Sequence, residues 1–133
     1  MLDPVIQEET TGCGIASVAA ILGKSYAEMK SVANAMGIFA EDEALWSDTA
    51  YVRRLLASDG VVTSDLEKPF ESWIALPKLA LLSIKNHREN GKNYWHWVVF
   101  QREEGIARVL DSASYLSSNV RVDFEDMHPD WYI

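Results

Sequence analysis

The hydrophobic pattern of this 133-residue chain changes period near its middle, and that change limits the folds open to it. Before about residue 60 the pattern is helical, with caps and stops in place. Cys13–Leu22 is small and apolar and ends at Gly23, which predicts a helix beginning at the cysteine. Ser25-Tyr26-Ala27-Glu28 is a capping box: the serine can accept from the third backbone N–H while the glutamate reaches back. That second helix runs to about Met36, with Gly37 as its left-handed terminator. A third is expected over Ser47–Ser58, capped by Ser47, burying Val52, Leu55 and Leu56, and ending at Gly60. After Pro77 the chain reads as strands: Lys78–Lys85, Tyr94–Gln101, Gly105–Asp111 and Val120–Phe124. Leu79–Ile84 and Trp95–Phe100 are almost continuously apolar, as strands buried on both faces are, so they belong at the centre of a sheet. Helices first and antiparallel strands later predict an α+β fold. The length suits a single domain over residues 1–133.

Charge and cysteine count narrow the function classes. A net charge of −8 with dispersed basic residues gives no face for phosphate neutralisation, so no nucleic-acid partner is expected. No basic amphipathic stretch suits anionic lipid. No run approaches the roughly 18 apolar residues of a membrane span. The N-terminus has neither a basic region nor a long apolar run, so no signal peptide is visible and a cytoplasmic location is expected. One cysteine cannot form an intrachain disulfide or a multi-thiolate zinc site.

That cysteine is the centre of the chemical argument. A lone cysteine is commonly a small buried hydrophobe. Cys13 differs in three ways: it opens a helix, glycines flank it at Gly12 and Gly14, and the residues before it are polar. A helix N-terminus offers unpaired N–H groups and the positive dipole end, both of which favour thiolate. The flanking glycines would let a substrate backbone come close. Gln7 and the Cys13 backbone N–H could together hold an oxyanion.

A base and an acid follow in the order that a thiol hydrolase needs. His96 lies between Trp95 and Trp97 in an apolar strand, and Asp111 ends the strand Ile106–Leu110. If Tyr94–Gln101 and Ile106–Asp111 form a hairpin turning at Glu103-Glu104, His96 and Asp111 oppose each other on one face. Opposed Cβ atoms lie about 5 Å apart, which lets an acid orient an imidazole. A three-residue bulged turn at Gly105 would slip the register by one and make the pairing diagonal. Taken singly, His96 is also a satisfied core histidine and Asp111 a turn residue.

Other constellations are weaker. His87 lies in the polar stretch Asn86–Gly91, read as a loop, and His128 in the terminal segment; both are expected to be incidental. No helical His-x-x-x-His spacing, Gly-x-Ser-x-Gly, phosphate loop or dinucleotide fingerprint occurs. No metal or cofactor is expected.

The blocks Gln7-x5-Cys13-Gly14 with its Ala-rich helix, Leu76-Pro77, Leu79–Ile84, His96-Trp97-Val98-Val99-Phe100 and Val109-Leu110-Asp111 resemble, in order, those of the bacteriocin-processing double-glycine peptidases of the papain-like clan. The resemblance spans most of the chain through about four short blocks. It implies a papain-like fold, with Cys13 attacking a scissile carbonyl and His96 moving the proton. Asp111 would orient His96, and Gln7 would complete an oxyanion hole. The family's members often cut leader peptides after two glycines and are often fused to a peptide exporter. Two positions depart from its pattern: Gly12 replaces the usual acidic or amide residue, and Ser112 the common proline.

The expected function is therefore a thiol peptidase acting on a peptide or protein substrate, with leader processing after small residues as its expected form. A separate exporter or delivery protein is a partner class that the resemblance allows, and the oligomeric state is not legible. Two rivals remain: a thiol acyltransferase or deamidase on the same triad, and a catalytically silent papain-like module that binds peptides or regulates.

Overall fold

Local punctuation sets the helix ends. In the computed structural model, which describes residues 2–64, 66–89 and 91–133, α1 spans Cys13–Leu22. It stops at Gly23, whose φ of 69° is left-handed and whose N–H returns to Ala19 and Ala20 carbonyls. Residues Cys13 to Ala20 are all buried, because small side chains let the helix press against its neighbours. α2 spans Tyr26–Ala35 and begins with the expected box: Ser25 Oγ accepts from the Glu28 amide, and Glu28 accepts from the Ser25 amide. Gly37 follows at φ 80°.

The third helix begins later than expected. A 3₁₀ turn occupies Glu43–Ser47, and α3 covers only Ala50–Ser58. Asp48 Oδ1 accepts from the Ala50 amide at 2.8 Å, so Asp48 supplies the acceptor at the start of α3. The Ser47 side chain lies outside the described residues. Tyr51, Val52, Leu55 and Leu56 form the buried face of α3.

The second half forms one antiparallel sheet. β1 is Lys68–Pro69, β2 Leu79–Glu89, β3 Lys92–Glu103, β4 Ile106–Asp111, β5 Val120–Arg121 and β6 Trp131–Tyr132, in the order β1-β6-β2-β3-β4-β5. The two apolar strands are central, as their composition requires. β2 continues through His87 to Glu89, so most of the polar stretch read as a loop is strand; Asn90 lies outside the described residues. The last predicted strand is short. Val120–Arg121 alone pairs, and Phe124–Met127 turns into a four-residue helix, α4. The fold is α+β, with its three longer helices ahead of the sheet.

The sheet separates two apolar clusters. On one side α1, α2 and α3 pack over Leu81, Trp95, Trp97, Val99 and Leu110. On the other, Leu76, Ala80, Leu82, Ile84, Val98, Phe100, Val109 and Met127 form a second cluster. Phe70, Trp73 and Phe124 rim it, with edge-on ring contacts at 5.1 and 4.9 Å.

The β3–β4 turn corrects the predicted register. Glu104 and Gly105 both adopt left-handed backbone, φ 52° and 79°, as a two-residue I′ turn requires. Glu103 pairs with Ile106, and Asp111 faces Val98 instead of His96. The shift is two residues, so the face is kept and His96 becomes the diagonal neighbour of Asp111.

Candidate active site

The structure brings Cys13, His96 and Asp111 together. His96 Nε2 lies 2.6 Å from Asp111 Oδ1, with the Asp111 side chain fully buried and that of His96 14% exposed. Burial opposes charge on His96. The Asp111 hydrogen bond, then the hydrogen bond and charge of Cys13, outweigh it and push His96 up to about 10. With Nε2 committed to Asp111, Nδ1 is the ring nitrogen left for the sulfur. A protonated ring between a carboxylate and a sulfur is the state these contacts favour.

Asp111 is held on every side. Oδ1 also accepts from the Ala113 amide at 3.1 Å, and Oδ2 accepts from Arg121 Nη1 at 3.0 Å. Its backbone pairs with Asn119: the Asp111 amide donates to Asn119 O, and Asn119 Nδ2 donates to Asp111 O. Burial alone would raise the carboxyl, but the His96 bond and charge, the Ala113 amide and Arg121 bring it down to about 2.

Cys13 is the first residue of α1 and 4% exposed. No side chain caps the helix, and the Ala16 amide, bonded to Gly12 O at 2.9 Å, is the first in the helix with an acceptor. The Cys13 amide thus has no acceptor among the described residues and stands as a donor beside its own sulfur. The flanking glycines have a different role from the one the sequence suggested. A Cβ on Gly12 would stand 2.2 Å from the Tyr26 hydroxyl, and one on Gly14 only 1.9 Å from the Tyr51 hydroxyl. The space is taken by two tyrosines of the protein itself, not reserved for substrate.

Those tyrosines brace Cys13 differently. Tyr26 donates to Glu9 Oε2, and Lys30 donates to Glu9 Oε1, which ties the loop before Cys13 to α2. Tyr51 is 2% exposed, and its hydroxyl has no hydrogen-bond partner among the described residues. It faces Trp97 Nε1, but the pair misses hydrogen-bond geometry, so Nε1 is also unsatisfied. Burial, then the nearby Cys13 charge, raise the Tyr51 phenol well above its ordinary range.

Gln7 stands in the loop ahead of Cys13. Its Nε2 donates to Glu9 O at 2.9 Å and Thr10 O at 3.0 Å, while its Oε1 accepts from Ser112 Oγ at 2.7 Å. The Gln7 amide also donates to Ser112 O at 3.0 Å. Gln7 therefore clips the loop before Cys13 to Ser112, and both hydrogens of its side-chain amide are engaged. A cleft of about 170 Å³ opens beside it, between Gln7–Thr10 and Ala113–Tyr115. A separate cleft of about 230 Å³, by Ile21, Leu56 and Ile133, includes none of the four predicted site residues.

The other histidines lie elsewhere. His87 is in β2, bonded to Lys85 O and stacked on Tyr94 at 5.7 Å; His128 terminates α4 at φ 47°. Among the described residues no His, Cys, Asp or Glu group of three is placed to hold a metal ion, and no helix is long and apolar enough to cross a membrane. The sequence reading missed Arg121, Tyr51 and Ser112. Arg121-x-Asp123 next to a strand was the one visible hint, an alternating cation and acid on one face.

No family model, curated protein or solved structure gives a significant match to the chain.

Proposed function

We propose that the chain is a papain-like cysteine peptidase that cleaves peptide bonds through an acyl-enzyme on Cys13. One observation carries the reading: His96 interacts with both the helix-opening Cys13 and the buried Asp111. The sulfur attacks the scissile carbonyl, forming a C–S bond, and the carbonyl oxygen becomes an oxyanion. The Cys13 amide is the donor this conformation offers it; Gln7 Nε2 would add a second by exchanging Thr10 O for the oxyanion. Each such donor is worth about 3 kcal/mol in the transition state. His96 Nδ1 then gives its proton to the leaving amine. In the second half it takes a proton from water, the hydroxide adds to the thioester, and the sulfur leaves as thiolate.

The exposure of Cys13, only 4%, favours small residues at the scissile carbonyl, because a bulky side chain would have to displace the protein to reach the sulfur. That supports leader processing after glycine or alanine as the finer form of the proposal. The test is turnover of peptides carrying a Gly-Gly or Gly-Ala junction. Wild type should cut after the small pair, and Cys13→Ala should bind the peptide without cutting it. Cleavage that survives Cys13→Ala would refute the reading.

The same buried sulfur, with both Gln7 hydrogens engaged, also favours a silent peptide-binding module. Binding by wild type without turnover would select that reading. A transferase or deamidase would show instead as an acceptor adduct or a side-chain gain of about one dalton, without backbone cleavage.

A further inference from the structure

The catalytic acid of a triad needs only one oxygen to hold its histidine. Here the second oxygen has a partner of its own. Arg121 Nη1 donates to Asp111 Oδ2 at 3.0 Å, while Arg121 Nε and Nη2 donate to the two oxygens of Asp123 at 3.0 and 2.6 Å. The strands explain the alignment. Val98 faces Asp111 and Val109 faces Arg121, so His96, Asp111 and Arg121 form a diagonal row across β3, β4 and β5. Asp111 is the buried centre of the row, with its side chain fully covered, while the Arg121 side chain is 17% exposed and that of Asp123, beyond it, 41%.

We propose that Arg121, held by Asp123, is a positioning residue of the site: it occupies Asp111 Oδ2, so that Oδ1 is fixed toward His96. The proposal rests on the peptidase reading for its catalytic consequence, though the contacts stand without it. A planar guanidinium can grip one carboxylate with two donors and reach a second carboxylate with a third, which a lysine cannot do. A fully buried carboxylate with only a histidine for partner could rotate about its Cβ–Cγ bond or take up a proton. The guanidinium opposes both. The charged and titratable groups around Asp111 are His96 from β3, Arg121 from β5, Asp123 just beyond β5 and, through His96, Cys13 from α1.

The test compares R121Q, R121K and D123N with wild type in the full chain. The first readout is the Asp111 carboxyl carbon resonance followed against pH, which needs no turnover. The second is the split between kcat and KM on a cleaved peptide. The proposal expects R121Q to raise the Asp111 protonation midpoint by about one pH unit or more. It should also lower kcat by about 10- to 100-fold at unchanged KM, the scale of a catalytic group displaced by about an ångström. D123N should shift both in the same direction by less, because Arg121 stays but loses its clamp. R121K should recover most of the midpoint and only part of kcat, since it restores charge without the fork.

If the R121Q variant does not fold, D123N and R121K carry the comparison. Variants that all match wild type in midpoint and kcat would overturn the proposal, as would a loss of stability with no change in either readout. If wild type itself shows no turnover, the peptidase reading fails, and the Asp111 midpoint alone still decides whether Arg121 governs the carboxylate.

Discussion

The two faces of the sheet bury apolar clusters of different size, the helix side the larger, and differ in what else they hold. The face toward Leu82, Ile84, Val98 and Phe100 is closed by Trp73 and Phe124, and strand alternation places His96, Asp111 and Arg121 on this same side. The face toward the helices contains Cys13 and two buried indoles and a phenol with no hydrogen-bond partner among the described residues: Trp95 Nε1, Trp97 Nε1 and the Tyr51 hydroxyl. Each unsatisfied buried donor costs about 1–3 kcal/mol. The helix face thus supplies Cys13, while the opposite face supplies the His96–Asp111–Arg121 row.

The largest expected effect needs no mutation. His96 is raised from 6.5 to about 10, so its stabilising contribution is complete below pH 6.5 and is lost as pH climbs toward 10. Asp111 is lowered from 3.8 to about 2, so its contribution is complete above pH 3.8 and is lost as pH falls toward 2. Thermal unfolding should therefore be flat between about pH 4 and 6.5 and decline on either side. His96→Asn should remove the decline above pH 6.5; a profile unchanged by that substitution would break the assignment.

Phe100→Ala attacks the cluster on the side away from the helices. Fully buried, Phe100 should lose about 3–5 kcal/mol on truncation by denaturant unfolding, while the alkylation rate of Cys13 in the folded protein stays at the wild-type value. Gly14→Ala, on the helix face, drives a methyl group into Tyr51, whose hydroxyl, Cζ and Cε2 would lie at 1.9, 2.6 and 2.7 Å. A loss of about 1–3 kcal/mol, accompanied by slower alkylation, is expected. The smallest change is Tyr51→Phe. Removing a buried hydroxyl without a partner should raise stability by about 1 kcal/mol, measured as a higher denaturant midpoint at unchanged slope. A destabilised Tyr51→Phe would mean that the hydroxyl has a role in the helix-face packing.

Elements with local signals were legible in the sequence. Gly23 and the Ser25/Glu28 box place the ends of α1 and α2 because the atoms that stop or start those helices lie within four residues. The α3 start was misread because Ser47 and Asp48 both suit a cap, and the 3₁₀ turn before them consumes Ser47. β1 and β6 were missed since two-residue strands have no period. Lys68 and Tyr132 pair across 64 positions, through contacts that only tertiary structure creates. The β3–β4 turn shows how a wrong register can keep the right face. Choosing Glu103-Glu104 over Glu104-Gly105 moved the pairing by two residues, and a period of two returned His96 and Asp111 to the same side.

The site was legible in part for the same reason. Cys13, His96 and Asp111 are of types whose chemistry shows in their names, and their order matched a triad. The two glycines were visible, but their reason was not, because Tyr26 and Tyr51 reach them from other helices. Arg121 was hidden in a short edge strand whose pairing with Val109 no local pattern announces. Ser112, noted only as a departure from a family pattern, turned out to hold Gln7.

The central proposal is that His96, held by Asp111, acts on Cys13 at the helix start. The rate of Cys13 alkylation by iodoacetamide, followed from pH 4 to 10 in wild type and His96→Asn, tests it most directly. The proposal predicts a wild-type rate at neutral pH well above that of His96→Asn, holding level until His96 loses its proton. Two coincident profiles would contradict it.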